Sequence, residues 1–399
     1  MEEMIATTIG EFEKFISFIE NEKPVLSAKL GVLGKKDSYK LNQMLYYKKD
    51  VSGPNYNQHQ YPVIDLIFSL SLSGRLYVRA NNEEGKPALL ETEVMESFKT
   101  LNQHEKYVYL LQTYWTKYDF EEKYNRWIIL SSFYNLLASL ADAEKGQRII
   151  KNEYDQSGRL YSEGAAFFHH IRFFGLGEIE EIPGAKGKYE DSVKAFIPNE
   201  FGIRISRFLV NKALLLWNCK DLKYLLPGIK GKLNPVSIEK PFDVFKEIFP
   251  EGTVTRTVAA ENKFDRSGVY TFKVSLSKRC WRKINTSHRH SLHDLHLAIQ
   301  EAFDFDNDHL YAFYVGGTRR TGKPIYCSDA EHGEKTAEET TIEDMGLYKG
   351  QKFYYLFDFG DMWEFEIELI KIEKSIPLPM KPVIIEIKGE SPEQYGGWW

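Results

Sequence analysis

Apolar residues recur at two different spacings along this chain, and the change from one to the other divides it. Through about residue 220 the helical spacing dominates, and one order of elements occurs twice within that stretch. Residues 61–74, YPVIDLIFSLSLSG, read as an apolar helix. RLYVRA follows as a strand, NNEEGKP as a polar turn, and ALLETEVMESFKTL as a second strand that runs into a helix. Thr92 stands where a helix needs an N-cap, with Glu93 and Glu96 in the first turn, where carboxylates oppose the helix dipole. The second instance runs AAFFHHIRFFGLG, EIEEI, PGAKGKYED and VKAFIPNEFGIRISRFLV, with Asn199 as the cap and Glu200 after it. Thr92-Glu93-Val94 aligns with Asn199-Glu200-Phe201, and Phe98 with Ile205. Helix, two-stranded hairpin and capped helix is the layout of a winged helix, and two copies predict a pseudo-repeat. The expected units are residues 1–125 and 126–220.

Residues 221–267 change character. LPGIKGKLNPVSIEKP has linker composition, PFDVFKEIF reads as a short amphipathic helix, and EGTVTRTVAAENKFDRSG is polar. From residue 268 the period becomes two. VYTFKVSL alternates, with Tyr270, Phe272, Val274 and Leu276 on one side. SKRCWRKINTS returns as a second strand. Ser291 and Asp294 start a helix as a capping box, and Leu292, Leu295, Ile299 and Phe303 share one face of it. HLYAFYVGG is a third strand, and KFYYLFDF with MWEFEIELIKI forms a hairpin closed near Gly360 and Asp361. The predicted class is α+β: a mainly helical N-terminal half with two hairpin-containing, winged-helix-like units, then a C-terminal mixed β-sheet domain with one packed helix, β-grasp-like.

Composition narrows the class. With 399 residues, 43% hydrophobic and 14% aromatic, the chain has ample material for two or three cores at roughly 150 residues each. A net charge of -5 is not that of a general polyanion binder, so any nucleic-acid contact must come from a local patch. Cys219, Cys280 and Cys327 are far apart and odd in number, which argues against a disulfide framework and a Cys-rich zinc site and fits a cytoplasmic setting. The start, MEEMIATTIGEFEKF, is acidic and is not read as a signal peptide. The longest uncharged apolar stretch, residues 127–141, falls short of the roughly 20 residues a membrane span needs. No membrane partner is expected.

Four C-terminal segments carry a resemblance: VYTFKVSLSKRCWRKI, SLHDLHLAIQEAFDFDNDHLYAFYV, KFYYLFDFGDMWEFEIEL and GESPEQYGG. Their order, their spacing and the D-F-G-D-x-W element resemble the plasmid pRiA4b ORF-3-like family over about the last third of the chain. The resemblance implies an α+β domain, found in some members behind a long helical region and often associated with plasmids and mobile elements. It brings no settled activity. Many members have a histidine two residues after the tryptophan, where this chain has Phe365. Many have a cysteine near the end, where this chain has Tyr395. Metal or thiol chemistry from those positions is therefore not expected here.

Several residue groups suggest chemistry. Asp358, Asp361 and Glu364 surround the D-F-G-D turn, and carboxylates converging there would hold a hard divalent cation. The alternative function is accordingly a metal-dependent phosphodiesterase or nuclease, with arginines of the 319–320 loop on phosphate. The preferred reading of the turn is structural: Asp358 accepts backbone N–H bonds, Gly360 supplies a positive φ, and Trp363 fills the core. Six of the ten histidines lie between His288 and His332. His296 falls on the apolar helix face as a core imidazole, His309 orders the turn after Asp306 and Asp308, and Asp308, His309 and Asp361 form an alternative metal set. No cofactor is expected otherwise. GGTRRTGKP imitates a P-loop, but Pro324 stands where the magnesium-binding hydroxyl belongs, so it reads as a loop. No kinase loops accompany D-F-G, and no serine sits in a nucleophile elbow. Lys278, Arg279, Arg282 and Lys283 surround Trp281, read as core, and with Arg319 and Arg320 they are the candidate nucleic-acid contacts. The helices of the two hairpin units are poor in Lys and Arg. The preferred function is a non-enzymatic binding or adaptor protein of mobile-element type, with a protein or nucleic acid as partner.

Overall fold

The structure, a computed structural model, describes residues 1–120, 127–150, 165–182, 193–219, 240–258, 265–315, 323–330 and 335–395. Two compact units emerge. One comprises residues 1–23, 33–78 and 91–262, the other residues 24–32, 79–90 and 263–399. The chain combines helices and strands in an α+β arrangement.

The first unit opens with α1 (Glu2–Glu22), whose Ile5, Ile9, Phe12, Phe15, Ile16 and Ile19 are buried along one stripe, followed by α2 (Lys35–Met44). The twice-repeated order then appears. It runs α3 (Pro62–Ser73), β1 (Tyr77–Asn81), β2 (Pro87–Glu91) and α4 (Glu93–Lys99). After α5 (Gln103–Thr116), α6 (Trp127–Asp142) and the short β3 (Ile149–Ile150) it returns as α7 (Ala165–Phe173), β4 (Gly177–Glu181), β5 (Val193–Pro198) and α8 (Glu200–Asn211).

The two instances share their backbone bonds at the joints, while the caps accept from different amides, Thr92 from Val94 and Asn199 from Gly202. α3 ends in a left-handed residue, Arg75 at φ 55°, and α7 in Gly175 at φ 76°. The next amide reaches back into the helix, Leu76 to the Ser71 carbonyl at 2.9 Å and Leu176 to that of Ile171 at 3.0 Å. The N-cap amides then close on the same residues, Thr92 to Leu76 and Asn199 to Leu176, each at 3.2 Å. The cap side chains donate to the left-handed carbonyls, the Thr92 hydroxyl to Arg75 and the Asn199 amide to Gly175. They also accept from the first turns of α4 and α8. Between the copies lies α5. Its Tyr109 hydroxyl donates to the Gly74 carbonyl, and its Tyr107 hydroxyl to the equivalent Phe174 carbonyl. The second copy packs more tightly: a Cβ on Gly202 of α8 would stand 1.8 Å from the Leu176 oxygen. Beyond the repeat, the buried Glu105 carboxylate accepts from the Thr255 and Arg256 amides, and so ties residues 255–256, which follow α9 (Pro241–Phe245) in the chain, to α5.

Besides most of the β1–β2 hairpin, the described residues of the second unit form a seven-stranded sheet and one long helix. They are β6 (Val269–Ser275), β7 (Trp281–Ser287), α10 (Leu292–Phe303), β8 (Tyr311–Val315), β9 (Lys323–Tyr326), β10 (Lys352–Phe357), β11 (Trp363–Glu373) and β12 (Val383–Lys388). The strand order is β12-β7-β6-β11-β10-β8-β9. Every pairing is antiparallel, so the sheet is not the mixed one expected from the sequence. Hairpins supply β6–β7, β8–β9 and β10–β11, and short return connections need no parallel crossover. α10 carries the Ser291–Asp294 capping box and covers the inner face. There Phe272, Val274, Ile284, Phe313, Phe353, Phe365 and Ile367 meet Leu292, Leu295, Ile299 and Phe303, all fully buried. Residues 24–32 and 79–90 complete this unit: the Tyr348 hydroxyl donates to the Ala28 carbonyl at 3.1 Å, and the Lys349 amide to Asn81 Oδ1 at 2.7 Å. Much of the 221–267 segment, and Arg319 and Arg320, lie outside the described residues. Among the described residues no helix is long and apolar enough to cross a membrane.

Candidate functional site

The D-F-G-D turn joins β10 to β11 at one corner of the sheet. Asp358 is nearly buried, and its Oδ1 accepts from the Gly360 amide at 2.8 Å and the Asp361 amide at 3.3 Å. The left-handed residues are Asp358 (φ 57°) and Met362 (φ 60°), so the positive φ assigned to Gly360 from the sequence belongs to its neighbours. Asp tolerates that conformation because its short side chain bonds the local backbone. Trp363 packs edge-on against Phe305, with centroids 4.9 Å apart, at the margin of the core. Asp361 and Glu364 are exposed. Among the described residues no three His, Cys, Asp or Glu side chains are grouped to hold a metal ion.

His309 sits beside this turn, with Nδ1 2.7 Å from Asp308 Oδ1 and Nε2 3.4 Å from Asp358 Oδ2. The Asp308 carboxylate, and more weakly Asp358 and Asp361, hold its pKa above the ordinary histidine value. Asp308 is already shared: the Tyr395 hydroxyl donates to Oδ2 at 2.7 Å and Gln394 Nε2 to Oδ1 at 3.2 Å. Tyr395 and then His309 keep that carboxylate below its usual range. These bonds tie residues 394–395 to the 306–309 loop.

His296 lies one layer deeper and is fully buried, its ring stacked on Tyr311 at 3.7 Å. Nε2–H donates to Asn307 Oδ1 at 2.7 Å, and Nδ1 accepts from the Tyr355 hydroxyl at 2.6 Å. Gln300 donates to the same hydroxyl oxygen at 2.7 Å. Both ring nitrogens are thus used by a neutral imidazole, which burial pushes down to about 4. His293, three residues earlier, bonds elsewhere: its Nδ1 lies 2.7 Å from the Tyr311 hydroxyl, which donates to Glu338.

The basic residues divide between the two sides of the sheet. Arg282 is buried on the inner side, not on a cationic rim. Its guanidinium lies over Phe303, donates to the Ala302 carbonyl at the C-terminus of α10, and reaches Lys388 O, Gly389 O and Ser391 Oγ. The negative end of the helix dipole and five oxygens, the Trp281 carbonyl among them, replace the carboxylate a buried cation normally needs. Strand alternation explains the split: Arg282 and Ile284 point inward, while Trp281 and Lys283 point outward. Trp281 therefore lies outside the main core, although only 9% of it is exposed. Lys278 and Arg279 are exposed in the β6–β7 turn. Lys273 of β6 and Lys388 of β12, which sequence reasoning did not single out, share the outer face with Trp281. The alternation of VYTFKVSL places Lys273 there; β12 was needed to place Lys388.

Comparisons with known proteins match part of this chain. "Uncharacterized protein y4hQ" of Sinorhizobium fredii (strain NBRC 101917 / NGR234) is 33% identical over 114 residues, 26% of this chain and 53% of that protein. The chain thus spans about half the length of this curated relative. A solved structure, the protein of unknown function MM3350 from Methanosarcina mazei Go1, is 26% identical and covers 33% of this chain and 76% of its own, with a TM-score of 0.28. The model of the family described as plasmid pRiA4b ORF-3-like protein matches residues 268–399, and the C-terminal third of the chain is a domain of that family.

Proposed function

We propose that the chain is a non-enzymatic binding or adaptor protein of the plasmid and mobile-element type, which presents its C-terminal domain to a partner. The observation that carries this reading is the use of the polar side chains in that domain. Asp358 is spent on the Gly360 and Asp361 amides, Asp308 on the Tyr395, Gln394 and His309 side chains, and His296 on Asn307 and Tyr355. A catalytic group must keep an atom within reach of substrate, whereas a binding module needs only an exposed surface. The paired helix–hairpin–helix units support the same reading as winged-helix-like modules, and their few cations favour protein contact there.

The test is calorimetry with magnesium, manganese and calcium, run beside a phosphodiesterase assay. The parent and the Asp358→Asn/Asp361→Asn variant are both expected to show no tight metal binding and no turnover, with the variant less stable. Metal binding and hydrolysis in the parent that vanish in the variant would establish the enzyme instead.

A further inference from the structure

Cations gather on one indole at the β6–β7–β12 side of the outer sheet face. The Nζ atoms of Lys273, Lys283 and Lys388 lie 4.9, 5.4 and 5.7 Å from the centroid of the Trp281 ring. Lys273 and Lys283 stand directly opposite each other across β6 and β7. Like charges in that relation destabilise a sheet. Lys278 and Arg279 add two exposed cations in the adjoining turn.

The surrounding carboxylates do not neutralise the group. Glu386 pairs with Lys283 at 2.7 Å. Glu368 stands opposite Lys273 on β11 but lies 3.8 Å from Lys352. Glu390 is exposed just past β12. Among the described residues, no carboxylate lies within ion-pair distance of Lys273, Lys278, Arg279 or Lys388. An anion placed among these heads would relieve their mutual repulsion. A chain of anions fits better than a single one, because the cations extend from the turn across three strands at about 4.8 Å per strand.

We infer that this face binds single-stranded nucleic acid, with Lys273, Lys278, Arg279 and Lys388 on phosphates and Trp281 against a base. The inference rests on the reading of the chain as a binding protein. A flat sheet face does not enter a duplex groove as a helix does. A single strand lies across such a face, its phosphates on cations and its bases on an aromatic side chain. The lysine heads now lie over the indole, and heads that turn to phosphates uncover it.

The test is fluorescence anisotropy of a labelled mixed-sequence 12-nucleotide single strand with the full chain at several salt concentrations. Three or four contacts give a slope of about -2 to -3 in log affinity against log salt. Lys273→Glu/Lys388→Glu is expected to weaken binding at least tenfold and to flatten the slope. Trp281→Leu is expected to weaken it severalfold with the slope kept, and Trp281→Phe to restore part of the loss. Lys335→Gln, at a residue ion-paired with Asp344, is expected to change nothing. Unchanged affinity in the double lysine variant, tighter binding of duplex than of single strand, or no binding at low salt would each overturn the proposal. The reading as a binding protein fails separately, by metal-dependent turnover that Asp358→Asn/Asp361→Asn abolishes.

Discussion

His296 and His309 stand near each other in the fold and respond to pH in opposite senses. His296 is buried and neutral, with its pKa pushed down to about 4, while the unfolded chain returns it to about 6.5. Between those values the unfolded state binds more protons, so stability falls as pH drops from about 6.5 toward 4, by about 3 kcal/mol for this one group. His309 has a raised pKa, so its contribution is complete below about 6.5 and is lost as pH rises through the raised value. Imidazole titration by NMR separates them: His309 is expected to titrate above the ordinary value and His296 to hold its neutral shift to below pH 5. Replacing His296 by Gln should remove the acid-side loss and lower stability at neutral pH. A His296 signal that titrates near 6.5 would show that the ring is not sealed in the core. The His296 pattern was legible in the sequence as a histidine on an apolar helix face. Its partners Tyr355, Asn307 and Gln300 were not, because each arrives from a different part of the chain.

Among the elements, the repeat of helix, hairpin and capped helix was readable from Thr92 and Asn199 with their following glutamates. What the structure adds is the identity of the joints, where each cap bonds both its own helix and the left-handed residue before the hairpin. The copies differ at one point of contact. Position 95 holds a fully buried Met, and the aligned position holds Gly202 against the Leu176 carbonyl. Gly202→Ala must push α8 off the Leu176 carbonyl, a shift expected to cost about 3 kcal/mol. Gly252→Ala, where nothing stands within 4 Å of the added carbon, meets no such clash, but its positive φ makes it a poor control; Gly10→Ala in α1, which also meets nothing, is the better one and is expected to be neutral or slightly stabilising. Denaturant unfolding of the two variants measures the difference, and equal midpoints would mean that the close approach relaxes freely. Two strands of the C-terminal sheet escaped the sequence. β9 contains Pro324 and is short, and β12 follows a proline-rich run and is exposed nearly throughout, so neither shows the alternation of a half-buried strand.

At the scale of the whole chain, the compact units do not coincide with single stretches of sequence. Residues 24–32 and 79–90 belong to the unit built on residues 263–399, and they meet it through Tyr348, Lys349 and a cation–π contact of Lys29 with Tyr354. A fragment of residues 241–399 keeps every strand of the seven-stranded sheet and α10, so it is expected to unfold cooperatively. Without the N-terminal segments its midpoint should lie below that of the same unit in the full chain. Tyr348→Phe, which removes a hydroxyl donor to the Ala28 carbonyl, should cost the full chain about 1 kcal/mol and the fragment almost nothing. Near-UV circular dichroism through a denaturant series makes the comparison. A fragment as stable as the intact unit would mean that the two segments contribute no stability.

Local information was enough for the main elements of the C-terminal domain. Alternation, the Ser291–Asp294 capping box and the D-F-G-D turn are set by residues within a few positions of one another, and short-range sterics and hydrogen bonds act on that scale. The sequence also carried the family resemblance, through motif order and spacing. Tertiary structure alone decided which partner each strand takes, and so that the sheet is antiparallel throughout. It also decided that Arg282 turns inward to the end of α10 while Trp281 turns outward beneath three lysines. One residue of register reverses those two assignments, and register is set by pairing between strands distant in sequence.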